Sequence, residues 1–222
     1  MVSIGQYPHE SDLVGHGMAL ERDIRGGLLV AAIMVERALD LIIATHLNGD
    51  NRQDFINTYY QMLSRTEDGA SKTSVKWFRD RCKSDSLISG SDQLKKVVAK
   101  WQGHLSNKVR FGVLLVEEGY PNLLRKGSES TRLERQLEAL VQLRNDIAHT
   151  EPGSNVDPGA SQRPDRIVFV YYEDGQRKSK PLALVDAQSK EKEWNELFHR
   201  LGTMANDIAK SRATSSIPPR GT

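Results

Sequence analysis

Apolar residues recur every three or four positions from Met18 to Leu47, a spacing that places them on one face of an α-helix. The stripe consists of Leu20, Ile24, Leu28, Ala31, Val35, Leu39 and Ile42. Further apolar residues widen it, and Asn48, Gly49 and Asp50 end it. We therefore predict a long first helix that other elements contact on more than one side.

Two adjacent glycines, Gly26 and Gly27, lie inside this helical pattern. In the interior of a helix, each of them costs about 1 kcal/mol relative to Ala. Either a neighbouring helix approaches closely at this point or the helix kinks there, and the sequence leaves both alternatives open.

A second helix is predicted over 53–63, and another apolar stripe runs from Asp92 to Leu105. The segment "VRFGVLLVEEGY" either continues that stripe or begins a new helix before Pro121, and the stretch around Trp77 is ambiguous. Most basic side chains in such a region solvate an outer face, and a smaller share would form an RNA-facing patch. They are Lys95, Lys96, Lys100, Lys108 and Arg110.

The next helix has a start signal in Thr131 and Glu134, which have the spacing of a capping box, where each side chain satisfies a free backbone amide of the other residue. Its buried face is marked by Leu133, Leu137, Leu140 and Val141. The helix ends by Pro152, because the residue before a proline is pushed out of helical geometry.

Two β-prone runs flank Asp174 and Gly175, which are a strong signal for a two-residue hairpin turn. The predicted hairpin covers 166–184, and Pro181 confines its second strand to a sheet edge. A last helix, for which Asp186 is the expected cap, has an apolar stripe of Trp194, Leu197, Leu201, Met204 and Ile208.

Together these elements predict a mainly α protein, in which a helical bundle carries a small β-hairpin and a C-terminal helix. We expect a single domain over 18–210 that includes the hairpin. An N-terminal extension over 1–17 would precede it, and a disordered tail over 211–222 would follow it. The sequence has no internal repeat at the periods of solenoid proteins.

Composition sets few further limits. A hydrophobic fraction of 38% in 222 residues is enough for a core, and a formal net charge of +2 gives no global basic field that would indicate nucleic acid. The single Cys82 and the absence of signal-peptide blocks at the N-terminus lead us to expect a reducing cytoplasm. The most apolar run, 27–35, falls far short of the roughly 20 residues that span a bilayer, so no membrane segment is expected.

Metal and cofactor sites are not expected. The histidines other than His149 show no helical pairing with one another, and one cysteine cannot build a zinc site. No glycine motif of the kind that cradles phosphate occurs after a predicted strand. His46, at the end of the first helix, can neighbour His149 in a bundle, but a capping or surface histidine is the favoured interpretation.

The helix that ends before Pro152 carries Arg144, Asn145 and His149. Asn145 and His149 are four residues apart and share a face of the helix, so the Asn145 amide can hydrogen-bond to the imidazole of His149 and fix its tautomer. Arg144 has a long side chain and the helix is ending, so Arg144 and His149 can both reach one phosphate. The helix C-terminus favours the imidazolium form. RNA supplies its own nucleophile, the ribose 2′-hydroxyl, so its cleavage requires proton transfer and charge stabilisation but no metal.

A structural role is the alternative for the same residues. Arg and His near a helix C-terminus often only complement the helix dipole. Arg144 lies in register with Leu137 and Leu140, so it can extend along a core edge or pair with a buried carboxylate. By spacing alone, this structural role is favoured.

The stretch "LRNDIAHT" resembles the signature of the HEPN superfamily, in which an Arg and a polar residue are followed, after a short gap, by a His at the end of a core helix. Arg144, Asn145 and His149 match these positions. The first helix, "ERDIRGGLLVAAIMVERALDLIIATHL", is similar to the opening helix of HEPN-like and mannitol-operon-repressor-like proteins. The resemblance covers 18–47 and 94–150, and leaves the hairpin and the last helix unassigned.

The resemblance implies a HEPN-like bundle of four to five helices that forms a homodimer through its motif-bearing faces. It further implies metal-independent endoribonuclease activity on RNA at a composite dimer site, with Arg144, Asn145 and His149 as catalytic residues. Active members of the superfamily serve toxin–antitoxin and antiviral defence systems, so an antitoxin or a defence-complex protein is a further expected partner. The alternative is a non-catalytic binding or regulatory module, as in the mannitol-repressor-like branch.

Overall fold

The computed structural model describes residues 10–64, 72–124, 128–148, 166–173 and 176–215. These residues form eight α-helices and one β-hairpin, in the order α1 (Glu10–Asn48), α2 (Arg52–Ser64), α3 (Lys72–Lys83), α4 (Ser86–Gly90), α5 (Asp92–Ala99), α6 (Leu105–Gly119), α7 (Ser128–Ala148), β1 (Arg166–Glu173), β2 (Gln176–Ala183) and α8 (Leu184–Ser215). The prediction of a mainly helical protein with a small hairpin and a C-terminal helix is confirmed.

Both terminal helices are longer than the apolar pattern predicts. Helix α1 begins at Glu10 rather than Met18, so part of the expected N-terminal extension is helical. Helix α8 continues to Ser215, so the expected disordered tail over 211–222 is wrong for its first residues, while 216–222 lie outside the described residues. Proline is the residue that stops a helix, and none occurs between Glu10 and Met18 or from Leu184 to Ser215.

Two helix starts differ from their predicted caps. Helix α7 begins at Ser128, which places Thr131 inside the helix rather than at a capping box. Helix α8 begins at Leu184, so Asp186 lies in its first turn instead of preceding it. An acidic residue in the first turn still favours the helix through the dipole, which explains why the sequence around Asp186 looked like a cap.

The chain divides into two compact units. Unit 1 consists of the described residues within 1–32 and 142–194, and unit 2 of those within 33–141 and 195–222. The predicted single domain over 18–210 stays a prediction. None of the described helices has a stretch that is both long and apolar enough to cross a bilayer.

Unit 2 has an aromatic core. The rings of Phe78 and Trp101 stack with their centroids 4.0 Å apart, and Phe111 packs edge-on against both at 5.6 Å. Cys82, on the same helix as Phe78, is fully buried, and burial raises the pKa of its thiol to about 12. The ambiguous stretch around Trp77 is therefore a helix, α3, that contributes its inner face to this core.

The predicted stripe from Asp92 to Leu105 is interrupted. Helix α5 ends at Ala99, and α6, which contains the segment "VRFGVLLVEEG", begins at Leu105. Gly103 between them has a φ of 79°, a left-handed conformation that an α-helix cannot contain and that glycine adopts readily.

In unit 1, β1 and β2 pair antiparallel with Glu173 opposite Gln176. This register leaves two residues for the connection, as predicted, although Asp174 and Gly175 themselves lie outside the described residues. Ile167 and Phe169 are buried, so alternate positions of β1 form the inner face of the hairpin.

Candidate functional site

Arg144 and Asn145 lie in the last turns of α7, which ends at Ala148. Both residues are half-buried, and the neighbouring Ile147 is buried in the core. The first two residues of the predicted motif therefore stand at a helix end, between the core and solvent. His149, the third residue, lies outside the described residues, so its prediction is not tested.

The guanidinium of Arg144 has no ion pair with any of the described residues. Its Nε atom is shielded from solvent and donates no hydrogen bond to any described residue. A guanidinium is always charged, so Arg144 brings to the end of α7 a positive charge that no described carboxylate neutralises. Among the described residues, the expected alternative of a carboxylate that occupies Arg144 is therefore not observed.

The carboxylate nearest in sequence, that of Asp146, has other partners. Gln142 Nε2 donates to Asp146 Oδ1 at 3.0 Å, and Lys180 Nζ lies 2.9 Å from Asp146 Oδ2. Both oxygens are thus engaged by an amide one turn earlier and by a lysine of β2. Residues two apart on a helix point in nearly opposite directions, so Asp146 is also badly placed to neutralise Arg144.

A second polar cluster, in unit 2, was missed by the sequence analysis. Lys108 is only 1% exposed, and its Nζ lies 2.8 Å from Glu36 Oε1 and 3.0 Å from Asp40 Oδ1. Tyr60 donates a hydrogen bond to Asp40, and the Lys108 ammonium lies 5.5 Å from the centroid of the Tyr60 ring. The interpretation of Lys108 as a solvated outer-face charge is wrong, because α6 turns this position toward α1.

The charges of this cluster depend on one another. Burial lowers the pKa of Lys108, but the adjacent Asp40 and Glu36 raise it more, so the pKa lies above its usual value. Burial raises the pKa of Asp40, and Lys108 only partly offsets this effect. An ammonium held this firmly is not a nucleophile or a base at neutral pH, so we assign the cluster a structural role.

A third cluster surrounds His46 at the end of α1, also in unit 2. His46 Nε2 lies 3.1 Å from Asp85 Oδ1, and Nδ1 lies 2.8 Å from the hydroxyl of Tyr120. The side chain of Arg212, near the end of α8, donates to the backbone carbonyl of His46. His46 is only 4% exposed, so it is not a surface histidine, whereas its place in the last turn of α1 agrees with the capping part of the favoured interpretation.

Asp85 has two functions in this cluster. It caps α4 by accepting a hydrogen bond from the Ile88 amide at 3.1 Å, and it contacts the His46 ring. Burial raises the pKa of Asp85, but its hydrogen bond to His46, the charge of His46 and the Ile88 amide together bring the pKa below its usual value. Because Asp85 and Tyr120 each lie against one ring nitrogen of His46, we assign this cluster a structural role in joining helix ends.

Metal coordination has little basis in the described residues, where no three side chains of His, Cys, Asp or Glu come together. The remaining lysines and arginine of the basic region, Lys95, Lys96, Lys100 and Arg110, are exposed as predicted. At the end of α7, a cation without a carboxylate partner among the described residues and a neighbouring amide side chain stand together.

Comparison of the chain with protein family models, with curated proteins and with solved structures gives no match.

Proposed function

We propose that the chain is a metal-independent endoribonuclease that cleaves RNA at a composite site of a homodimer, with Arg144, Asn145 and His149 as its catalytic residues. The observation that carries the proposal is the Arg144 guanidinium, which lies at the end of α7 without an ion pair to any described residue. The resemblance of "LRNDIAHT" to the HEPN signature supplies the role of each residue.

The proposed reaction is transfer of the phosphorus from the 5′-oxygen of one nucleotide to the 2′-oxygen of the preceding ribose. The 2′-hydroxyl loses its proton to a neutral imidazole as the new O–P bond forms. An imidazolium gives a proton to the departing 5′-oxygen as the old P–O bond breaks. The products are a 2′,3′-cyclic phosphate and a 5′-hydroxyl, so the atoms and protons balance without an added reactant.

Each residue has a distinct part in this reaction. His149 transfers the protons, and the negative end of the α7 dipole favours its charged form. Arg144 stabilises the negative charge that accumulates on the phosphate oxygens. Asn145, four residues before His149, orients the imidazole or donates a further hydrogen bond.

A dimer brings a second Arg144 and a second His149 to the cleft. One imidazole is the minimum for both proton transfers, because the imidazole that accepts the 2′ proton becomes the imidazolium that protonates the 5′-oxygen. A two-fold axis beside the end of α7 would bring two copies of Arg144 and His149 to one cleft. We further propose that the protein acts in a reducing cytoplasm, with an antitoxin or a defence-complex protein as its regulatory partner.

The test is cleavage of single-stranded RNA by the purified full-length chain in excess chelator. We expect cyclic-phosphate ends, no cleavage by His149→Ala, and a loss of about 100-fold or more for Arg144→Ala. Arg135→Ala is the matched control, because Arg135 is an exposed arginine of the same helix.

Three results would contradict the proposal: cleavage that requires a metal ion, full activity of His149→Ala, or equal losses for Arg144→Ala and Arg135→Ala. Binding of RNA or of a protein without any cleavage would instead favour the non-catalytic module. Circular dichroism and urea denaturation of each variant would separate a loss of activity from a loss of folding.

A further inference from the structure

The hairpin contacts α1 through its first strand. The Arg25 guanidinium lies 5.0 Å from the centroid of the Phe169 ring, and its Nη2 donates to the carbonyl oxygen of Val168 at 3.1 Å. Arg25 and Phe169 are both buried. A cation over a buried aromatic face and a part-buried, charge-assisted hydrogen bond attach β1 to α1.

The second strand contacts the motif-bearing end of α7. Lys180 of β2 is paired directly with Phe169 of β1, and residues directly opposite one another have their side chains on the same face of a sheet. This one cross-strand pair therefore connects the hairpin to two helices. Phe169 lies beneath Arg25 of α1, and Lys180 forms an ion pair with Asp146 of α7. Asp146 immediately follows Asn145 in the predicted catalytic motif.

The end of a helix needs such a contact. Its last four carbonyl groups have no partner within the helix, and helix ends open more readily than helix centres. Lys180 opposes this opening in two ways, because its ammonium pairs with Asp146 and also brings positive charge to the negative end of the α7 dipole.

We infer that the hairpin is a brace for the proposed ribonuclease site and that Lys180 is a positioning residue, which holds the end of α7 in its reactive geometry without touching RNA. This inference rests on the proposed function. It gives a role to the hairpin, an element that the family resemblance leaves unassigned. Small displacements of catalytic groups lower the rate of the chemical step far more than they lower substrate binding.

The experiment compares Lys180→Met with Lys180→Arg and with a matched control, Lys190→Met. Lys190 pairs with Glu193 at 2.8 Å within a single helix, so its loss removes a similarly exposed ion pair that joins no two elements. We expect Lys180→Met to lower kcat about tenfold with KM changed less than about twofold, Lys180→Arg to restore most of kcat, and Lys190→Met to behave as the wild type.

A direct contact of Lys180 with RNA would give a different result. KM would rise in Lys180→Met while kcat stayed constant, and the slope of log affinity against log salt would fall by about one. That result, or equal effects of Lys180→Met and Lys190→Met, would overturn the positioning role.

Amide hydrogen exchange separates this inference from the proposed function. The amides of Asn145, Asp146 and Ile147 should exchange faster in Lys180→Met than in Lys190→Met. If the wild type cleaves no RNA but this difference is present, the ribonuclease proposal is wrong, while the role of Lys180 in holding the end of α7 is supported. If the wild type cleaves RNA and exchange is equal in both variants, Lys180 does not hold the end of α7, while the ribonuclease proposal is supported.

Discussion

At the scale of single residues, Lys108 of unit 2 is held by charged and aromatic groups together. Its ammonium lies between the carboxylates of Glu36 and Asp40 and over the rings of Tyr59 and Tyr60. A buried ion is stable only when its charge is compensated, so the three charged groups stabilise the fold only together.

Substitution of Lys108 by Met should lower the free energy of unfolding by about 3 kcal/mol at neutral pH, because it leaves two carboxylates without their cation. The folded-state pKa of Lys108 is raised, so its contribution is fully present below the unfolded pKa of about 10.4 and is lost only as the pH rises through the folded value. Urea denaturation at pH 7 measures the loss.

The same measurement on Arg110→Met is the control, since Arg110 is an exposed cation of the same helix. We expect that variant to stay within about 0.5 kcal/mol of the wild type. Equal stabilities for both variants would show that Lys108 has no special role in the core.

A signal for Lys108 was present in the sequence, because the residue follows Leu105 by three positions and so continues the apolar stripe of α6. Its partners were not predictable, since Glu36 and Asp40 are about 70 residues earlier on α1 and their contact with α6 depends on the packing of two helices. The environment of His46 was not predictable for the same reason. Its neighbours Asp85, Tyr120 and Arg212 belong to three segments that are far apart in the sequence, and only the packing of the helices brings them together.

At the scale of elements, the two glycines of α1 have different surroundings. A Cβ atom added at Gly27 would lie 3.1 Å from Glu191 Oε1 of α8, whereas one added at Gly26 would meet nothing within 4 Å. Of the two alternatives that the sequence leaves open, a close neighbour is present at Gly27, in the form of the Glu191 side chain, while Gly26 is an open helical position.

We expect Gly26→Ala to raise the free energy of unfolding by about 0.5–1 kcal/mol, because alanine favours the helix and meets no neighbour. Gly27→Ala should gain less, since the Glu191 carboxylate must first move. Thermal denaturation of the two variants beside the wild type measures both changes. A loss of stability in Gly26→Ala would mean that this part of α1 requires glycine.

Elements with long, regular patterns were the predictable ones. The stripe of α1, helix α2 and the hairpin with its two-residue connection follow the periodicity closely. Short elements were not predictable, since α4 has only five residues and Gly103 interrupts a stripe whose spacing continues across it. The spacing of apolar residues by three and four positions shows which face of a helix is buried. It cannot show that the backbone leaves the helical conformation between two turns.

Of the candidate site, the sequence predicted the position of Arg144 and Asn145 at the end of a helix. The attachment of the hairpin to that end was not predictable, because an exposed lysine on an edge strand is usually only a means of keeping the edge soluble. The pairing of Lys180 with Asp146 depends on where the hairpin packs in unit 1, and no local pattern contains that information.

At the scale of the whole molecule, the composite site makes a prediction about mixtures. Chains with Arg144→Ala and chains with His149→Ala should each cleave RNA at least about 100-fold more slowly than the wild type, yet exchange of subunits should restore cleavage. About half of the dimers are then mixed, and each mixed cleft retains one Arg144 and one His149. Activity of the mixture, measured against time after mixing, tests the prediction.

Mixing the Arg144→Ala chain with a chain that carries both substitutions is the control, because no dimer of that mixture contains a His149 from one chain and an Arg144 from the other. No recovery in the test mixture would mean that Arg144 and His149 must come from the same chain. Recovery in the control would mean that cleavage does not require Arg144.

The buried thiol of Cys82 has a practical consequence for all of these experiments. It is the only cysteine of the chain, and its raised pKa and burial keep it from reacting with maleimides while the protein is folded. A cysteine introduced at exposed Gln176 of the hairpin would then be the single labelling site, without any prior removal of the native one. A fluorophore attached there would follow hairpin motion during RNA addition in an otherwise unaltered protein.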